Sequence, residues 1–204
     1  VKKKFPWARR SHGVKGLPYA HQACAKMART SHYYVIEGDN EIVDDFDPSF
    51  KPDRYSRDAV YVWRAKNGIN DLVYGYSGIK LFPTERVLAV DPETVVDFTM
   101  SISTKFVAYQ KLGSIVRYDT DPFNTWKSAF RECVKLSQKI LPGQKDEETD
   151  SRLRTWTSVG KGDYGDYSIA GALAGTEYGK YAQEDDYKNI NDWEWLKERF
   201  EKES

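Results

Sequence analysis

Apolar and polar positions along this chain switch between two periods, and the switch points divide it into elements. In GLPYAHQACAKMART, Ala20, Cys24, Met27 and Ala28 recur at helical spacing and Pro18 fits a first helical turn, which predicts a helix opened by Gly16. Tyr33, Val35 and Ile36 then supply the aromatic and β-branched side chains of a strand. That run discharges into Glu37-Gly38-Asp39, so the predicted order is helix, short turn, strand, acids. The next stretch, DDFDPSFKPDRYSRD at 44–58, carries Pro48, Pro52 and alternating charge and predicts an extended loop, of a length that is often functional in compact domains. AVYVWR at 59–64 and IKLF closed by Pro83 read as strands, joined through a connection containing Gly75 and Gly78.

Between residues 93 and 118, ETVVDFT, KFVAY and SIVRY read as strand-like pieces separated by polar turns. TDPFNTWKSAFRECVKLSQKIL predicts a helix: Asp121 can cap it, Pro122 suits its first turn, and Trp126, Phe130, Cys133, Val134 and Leu141 keep one apolar face. GQKDEETDSRLR passes from a charged loop into a helix. Gly160, Gly162 and Gly165 lack both the preceding strand and the downstream acid of a dinucleotide fingerprint, so they predict a flexible loop capped by Asp166. Ile169 and Leu173, with Ala170, Gly171, Ala174 and Gly175, predict a closely packed helix that ends before Gly179. The tail NINDWEWLKERFEKES is an amphipathic helix with Asn191 or Asp192 at its cap and Trp193, Leu196 and Phe200 on one stripe. It docks on the domain or forms a homo-oligomer contact. The resulting organisation is a single α/β domain over residues 1–182 with a helical appendage over 183–204.

Composition narrows the partners. Lys+Arg and Asp+Glu balance at 31 each, so no global field draws in nucleic acid. Lys2, Lys3, Lys4, Arg9 and Arg10 do cluster beside Phe5 and Trp7, as a solvated face or as a phosphate-contacting patch. Aromatics make up 14% of the chain and the mean hydropathy is −0.71, the signature of a polar exterior over large buried side chains. No apolar run approaches the roughly 20 residues of a membrane span, and no signal peptide is read at the start, so no membrane partner is expected. Cys24 and Cys133 fall on apolar faces and read as buried structural thiols, which suits a reducing cytoplasm.

The candidate chemistry centres on Glu37 and Asp39. Two carboxylates at a strand end suit a hard divalent cation, which prefers oxygen ligands and often brings a phosphate with it. The competing reading makes them turn or capping acids after a core strand, with Asp44, Asp45 and Asp47 as solvated loop charges. Tyr74 and Tyr76 read as core tyrosines beside a glycine bulge or turn, with flat faces of the kind on which rings stack.

The order of helix, strand and acids resembles glycosyltransferases of the GT-A type, in which a helix rich in small residues leads into a strand ending in a D-x-D signature. The segments HGVKGLPYAHQACA, IEGDNEIVDDF, YGYSGIKLFP and TDPFNTWKSAFRECVKL resemble a glycosyltransferase-like family of tailed bacteriophages over about residues 5–180. This resemblance implies a GT-A-like, Rossmann-like mixed sheet flanked by helices. It also implies a divalent cation, Mn2+ or Mg2+, on Glu37 and Asp39, with Asp39 the principal ligand. The donor would be a nucleotide-sugar, the acceptor a hydroxyl on modified phage DNA or a glycan, and the compartment the cytoplasm of the infected host. Substrate contacts would come from Gly16 with the adjacent Lys15, His21, Tyr74, Tyr76, Lys80, Arg131 and Lys161. Asp121 or Asp119 would be the base, although capping is the better single explanation for Asp121, because a helix N-terminus favours the ionised acid and lowers its basicity.

Three departures from the family pattern stand out. Glu37 replaces the first Asp of the signature. The chain enters in what reads as the end of the family's first helix, so either the sequence is truncated or the nucleotide site is incomplete. His12, His21 and His32 all precede Asp39, leaving no later His for a metal. These departures favour the alternative expectation of a non-catalytic phage binding or structural protein that retains the fold.

Overall fold

The structure, a computed structural model, describes residues 1–74, 78–93, 98–139 and 145–203. It is a mixed α/β fold with a sheet and flanking helices, and it divides into two compact units, residues 1–66 with 73–116 and residues 67–72 with 117 onward.

The first unit contains α1 (Leu17–Met27), β1 (His32–Ile36), β2 (Asn40–Ile42), β3 (Val60–Asn67), β4 (Val73–Tyr74), β5 (Ile79–Pro83), α2 (Thr84–Ala89), α3 (Phe98–Ile102) and β6 (Phe106–Val116). Among the described residues the strands run in the order β1-β5-β3-β6-β2, with β4 paired to β3. The β1–β5, β3–β5, β3–β4 and β2–β6 pairs are antiparallel. Successive strand residues point to opposite faces, and this period of two sorts the core into two clusters. On one face Val35, Val60 and Phe82 meet Ala25 of α1, Val87 of α2 and Phe98 and Ile102 of α3. On the other, Tyr61, Trp63, Ile79 and Leu81 meet Ile42 and Phe46. Here the 44–58 loop is irregular as expected, yet Phe46 and Phe50 lay their rings 5.8 and 5.4 Å from Trp63. The loop therefore covers one face of the sheet.

Several predicted details change. The buried residues of α1 are His21 and Ala25 instead of the expected stripe, because the aromatic rings of Phe82 and Phe98 accept the imidazole as a core group. Phe98 and Thr99, expected in a strand, begin α3; residues 94–97 lie outside the described residues. KFVAY and SIVRY join into the single strand β6. Gly113 does not break it, since a Cβ there would come within 2.8 Å of the Trp63 Cβ, and the glycine serves close packing.

The second unit contains α4 (Pro122–Ser137), α5 (Asp146–Trp156), α6 (Gly165–Tyr181), a 3-10 segment (Glu184–Asn191) and α7 (Trp193–Glu203). The apolar face of α4 holds Trp126, Phe130 and Val134; Leu141 lies outside the described residues. Helix α6 crosses α4 at backbone contact, for a Cβ on Gly171 or Gly175 would sit 2.2 or 2.3 Å from the carbonyl oxygen of Trp126 or Phe130. Gly179 continues this row at a spacing of four and lies inside α6, not beyond its end. Asp166 occupies the first turn of α6, where an acid suits the helix dipole. Asp192 caps α7 by accepting from the N–H groups of Glu194 and Trp195 at 3.0 and 3.2 Å, and Leu196 docks in the cluster with Ile190 and Phe200. At the 67–72 turn, the Asn67 amide donates to the Tyr118 hydroxyl at 2.9 Å, and its carbonyl accepts from the Ile69 N–H at 2.9 Å. Cys24, half-buried, and Cys133, fully buried, are free thiols whose pKa values burial pushes up. Among the described residues, no helix is long and apolar enough to cross a membrane.

Candidate functional site

The β1 strand ends at Ile36, and the chain turns tightly into β2 through a bond from the Asn40 N–H to the Glu37 carbonyl at 3.1 Å. Asp39 opens to solvent on this turn, while Glu37 is half-buried. The β1–β5 register sets Val35 opposite Lys80, and side chains two residues apart share a face, so Glu37 is the diagonal neighbour of Lys80. Their ammonium and carboxylate form an ion pair. Asn40 is buried behind the turn: its Nδ2 donates to Asp39 Oδ1 at 2.8 Å, and its Oδ1 accepts from Ser114 Oγ of β6 at 2.7 Å. Gly78, at φ 111, backs this network, with Ser114 Oγ only 2.7 Å from where a Cβ would stand. Only glycine meets both conditions without strain.

Charge is unevenly matched here. Burial on its protein side, then the neighbouring Glu37 charge, raise the Asp39 pKa above the ordinary carboxylate value, while the Asn40 hydrogen bond and Lys80 pull the other way. Behind the turn, His21 stacks on Phe98 with ring centroids 4.8 Å apart and meets the edge of Phe82 at 5.5 Å. Burial, and secondarily the Lys80 charge, push its pKa down to about 4, against a smaller opposing pull from Glu37. His21 is therefore neutral at pH 7.

This depressed value predicts a pH-dependent stability. The unfolded chain binds the His21 proton more readily than the folded one, so the contribution is present above the ordinary histidine value of 6.5 and is lost as pH falls toward about 4. A loss on the order of 2 kcal/mol is expected across that window. Urea midpoints from pH 7 to pH 4 test this. The His21→Phe variant, which keeps a ring on Phe98, should show a shallower dependence, and equal slopes would refute the assignment.

The remaining candidate residues are placed as follows. Tyr74 is buried in β4 opposite Ala65, and Tyr76 lies outside the described residues. Lys15 is exposed just before Gly16, which precedes α1 at φ 92. In the second unit, Asp121 caps α4: its Oδ1 accepts from the Asn124 N–H at 2.8 Å and its Oδ2 from the Asn124 side chain at 2.5 Å. The backbone bond leads the lowering of its pKa, which makes Asp121 a weak base. Asp119, half-buried in the turn before it, has no hydrogen-bond partner among the described residues. Arg131 is half-buried on α4 and donates to Asn191 Oδ1 at 2.8 Å. The Lys161 ammonium pairs with Asp71, and its N–H donates to the Ile69 carbonyl at 2.9 Å. Gly160 and Gly165 approach backbone to backbone, with no room for a Cβ on either.

The chain matches no family model, no curated protein and no solved structure. Its function is therefore read from the turn itself, which brings together Glu37, Asp39, Lys80 and His21. Asn40 and Ser114 complete it and were absent from the sequence reading, because they are separated by 74 positions and meet only through the β2–β6 pairing. A polar Asn immediately after Asp39, opening a strand, is the one local signal. Lys127 on α4 was also missed: its ammonium lies 3.4 Å from the Trp193 ring centre, and burial pushes its pKa down to about 8. Among the described residues, no three His, Cys, Asp or Glu side chains gather as a metal-binding group. A cation at the turn would thus rest on Asp39 and Glu37, with donor phosphate or water completing its shell.

Proposed function

We propose that the chain is a GT-A-type glycosyltransferase that moves a sugar from a nucleotide donor to a hydroxyl on DNA or a glycan with the help of a divalent cation. The observation that supports this reading is the condition of Asp39, a carboxylate at a strand end whose ionised form is made costly first by burial on its protein side and then by Glu37 beside it. A cation would relieve that cost, and the all-oxygen donors suit Mn2+ or Mg2+. When bound, such an ion stabilises the charge on a leaving diphosphate.

The chain's own residues have distinct tasks in this scheme. Lys80 holds Glu37 in place, and Asn40 with Ser114 orients Asp39. In transfer, the acceptor oxygen bonds to the anomeric carbon as the bond from that carbon to the diphosphate breaks; the hydroxyl proton passes to a base, and the nucleoside diphosphate leaves. Of the two acids before α4 in the second unit, Asp121 is committed to the helix cap, which weakens it as a base.

That commitment also supports a second reading, a non-catalytic binding or structural protein that retains a similar fold. A melting experiment on the protein with uridine diphosphate, Mn2+, both or neither separates the two. Transfer predicts stabilisation that requires both ligands together. An unchanged melting temperature under all four conditions would sink the transferase reading.

A further inference from the structure

The first 36 residues contain eight Lys and Arg and no Asp or Glu, while the rest of the chain holds all 31 acidic residues against 23 basic ones. A neutral total thus conceals a strongly polarised chain. All eight of these cations are exposed. Lys4 pairs with Asp44 and Arg9 bonds a carbonyl, but Lys2, Lys3, Arg10, Lys15, Lys26 and Arg29 have no acidic partner among the described residues.

Folding gathers these charges. Arg9 donates to the Met27 carbonyl at 3.1 Å and the Ser11 backbone meets the Cys24 thiol, so residues 9–11 lie along the C-terminal half of α1. Arg9 thereby meets the end of α1 at which the chain carries Lys26 and Arg29, with Arg10 next to it in the chain. Trp7 stands out of the same segment, 68% exposed, against Phe5 at 5.4 Å between ring centres. Phe5 in turn packs on Phe46, which fixes the indole on an anchored stretch of chain.

We propose that this face binds single-stranded nucleic acid, with its cations on successive phosphates and Trp7 as a platform for an unstacked base. Phosphates supply the attraction, and a base offers a flat ring to an exposed indole on a basic surface. An anionic membrane fits less well, because residues 2–16 form neither helix nor strand and would carry unpaired backbone groups into the lipid. The surface stands on charge and exposure alone, and it neither requires nor implies sugar transfer.

Fluorescence anisotropy of the full chain with labelled oligothymidylate and oligouridylate over a salt series tests it. Saturable binding to either strand is expected, falling steeply with salt. Charge reversal in an Arg10→Glu/Lys26→Glu variant should weaken it at least about tenfold and reduce the slope of log affinity against log salt by about 1.4, two phosphate contacts at about 0.7 each. Trp7→Ala should weaken it about fivefold or more with the slope unchanged. All three changed residues are exposed, so the variants are expected to melt with the parent by circular dichroism. The inference is overturned if neither strand binds at about 50 mM salt, a condition that favours phosphate contacts. It is equally overturned if the variants bind as the parent does, or if the protein binds phosphatidylglycerol vesicles and neither oligonucleotide.

Discussion

Asp39→Asn is expected to abolish the joint stabilisation by uridine diphosphate and Mn2+ while leaving the ligand-free protein slightly more stable. The second effect follows from the sign of the pKa shift. Because the folded-state value is raised, the contribution of Asp39 to stability is present below the ordinary carboxylate value of 3.8 and is lost as pH rises through the raised one. At neutral pH the ionised carboxylate opposes folding. An amide removes the charge and keeps an oxygen for the Asn40 side chain, whose bond to Oδ1 spans 2.8 Å. Asp39 faces solvent, so screening holds the gain below about 1 kcal/mol. The ligand effect is larger: at a hundredfold excess over the dissociation constant, binding stabilises by about 2.7 kcal/mol. For a chain of this size that is roughly 5–10 °C in melting temperature. Scanning calorimetry of both proteins, with and without ligands, reads the two effects separately. A variant that keeps the full ligand shift would remove Asp39 from the site. A ligand-free variant that melts several degrees lower would make the carboxylate a structural turn group.

Gly175→Val should destabilise the second unit by about 3 kcal/mol, at the upper end of the range for overpacked sites. The reason lies in what the new side chain would meet. A Cβ at this position falls 2.3 Å from the Phe130 carbonyl oxygen and 2.8 Å from its Cα, and backbone atoms inside a helix cannot swing aside as a side-chain tip can. The helices α4 and α6 must separate, and Trp126, Phe130 and Tyr178, which pack at their interface, lose contact together. Leu173→Ala, on an exposed position of the same helix, is the control and should change stability by no more than about 0.5 kcal/mol. Urea denaturation at unchanged m-value measures both. Equal midpoints for Gly175→Val and the parent would mean that the two helix backbones do not touch.

The contrast between these two predictions shows where the information lies. The helical spacing of Trp126, Phe130 and Val134 identified α4, and Asp121-Pro122 identified its start, because capping and amphipathic periodicity act within a few residues of each other. Tyr33, Val35 and Ile36 likewise revealed β1, and the acids at its end were visible for the same local reason. The small residues of α6 signal close packing without specifying α4 as the partner, and Gly179 lies inside the helix instead of past its end, since a glycine that stops a helix and one that admits a neighbour look alike in sequence. The polar residues between KFVAY and SIVRY read as a turn and hid the continuity of β6, in which Gly113 packs against Trp63.

The candidate site divides along the same line. Sequence by itself determined that Glu37 and Asp39 emerge together from a strand, that Asp121 begins a helix, and that the positive charge is concentrated at the start of the chain. Only the tertiary structure decided that Lys80 matches Glu37, that Asn40 and Ser114 orient Asp39, that His21 is a neutral core ring behind them, and that the 44–58 loop covers the sheet with Phe46 and Phe50. Strand pairing sets those contacts across separations of 43 and 74 residues, and no local propensity encodes which distant side chain will stand opposite.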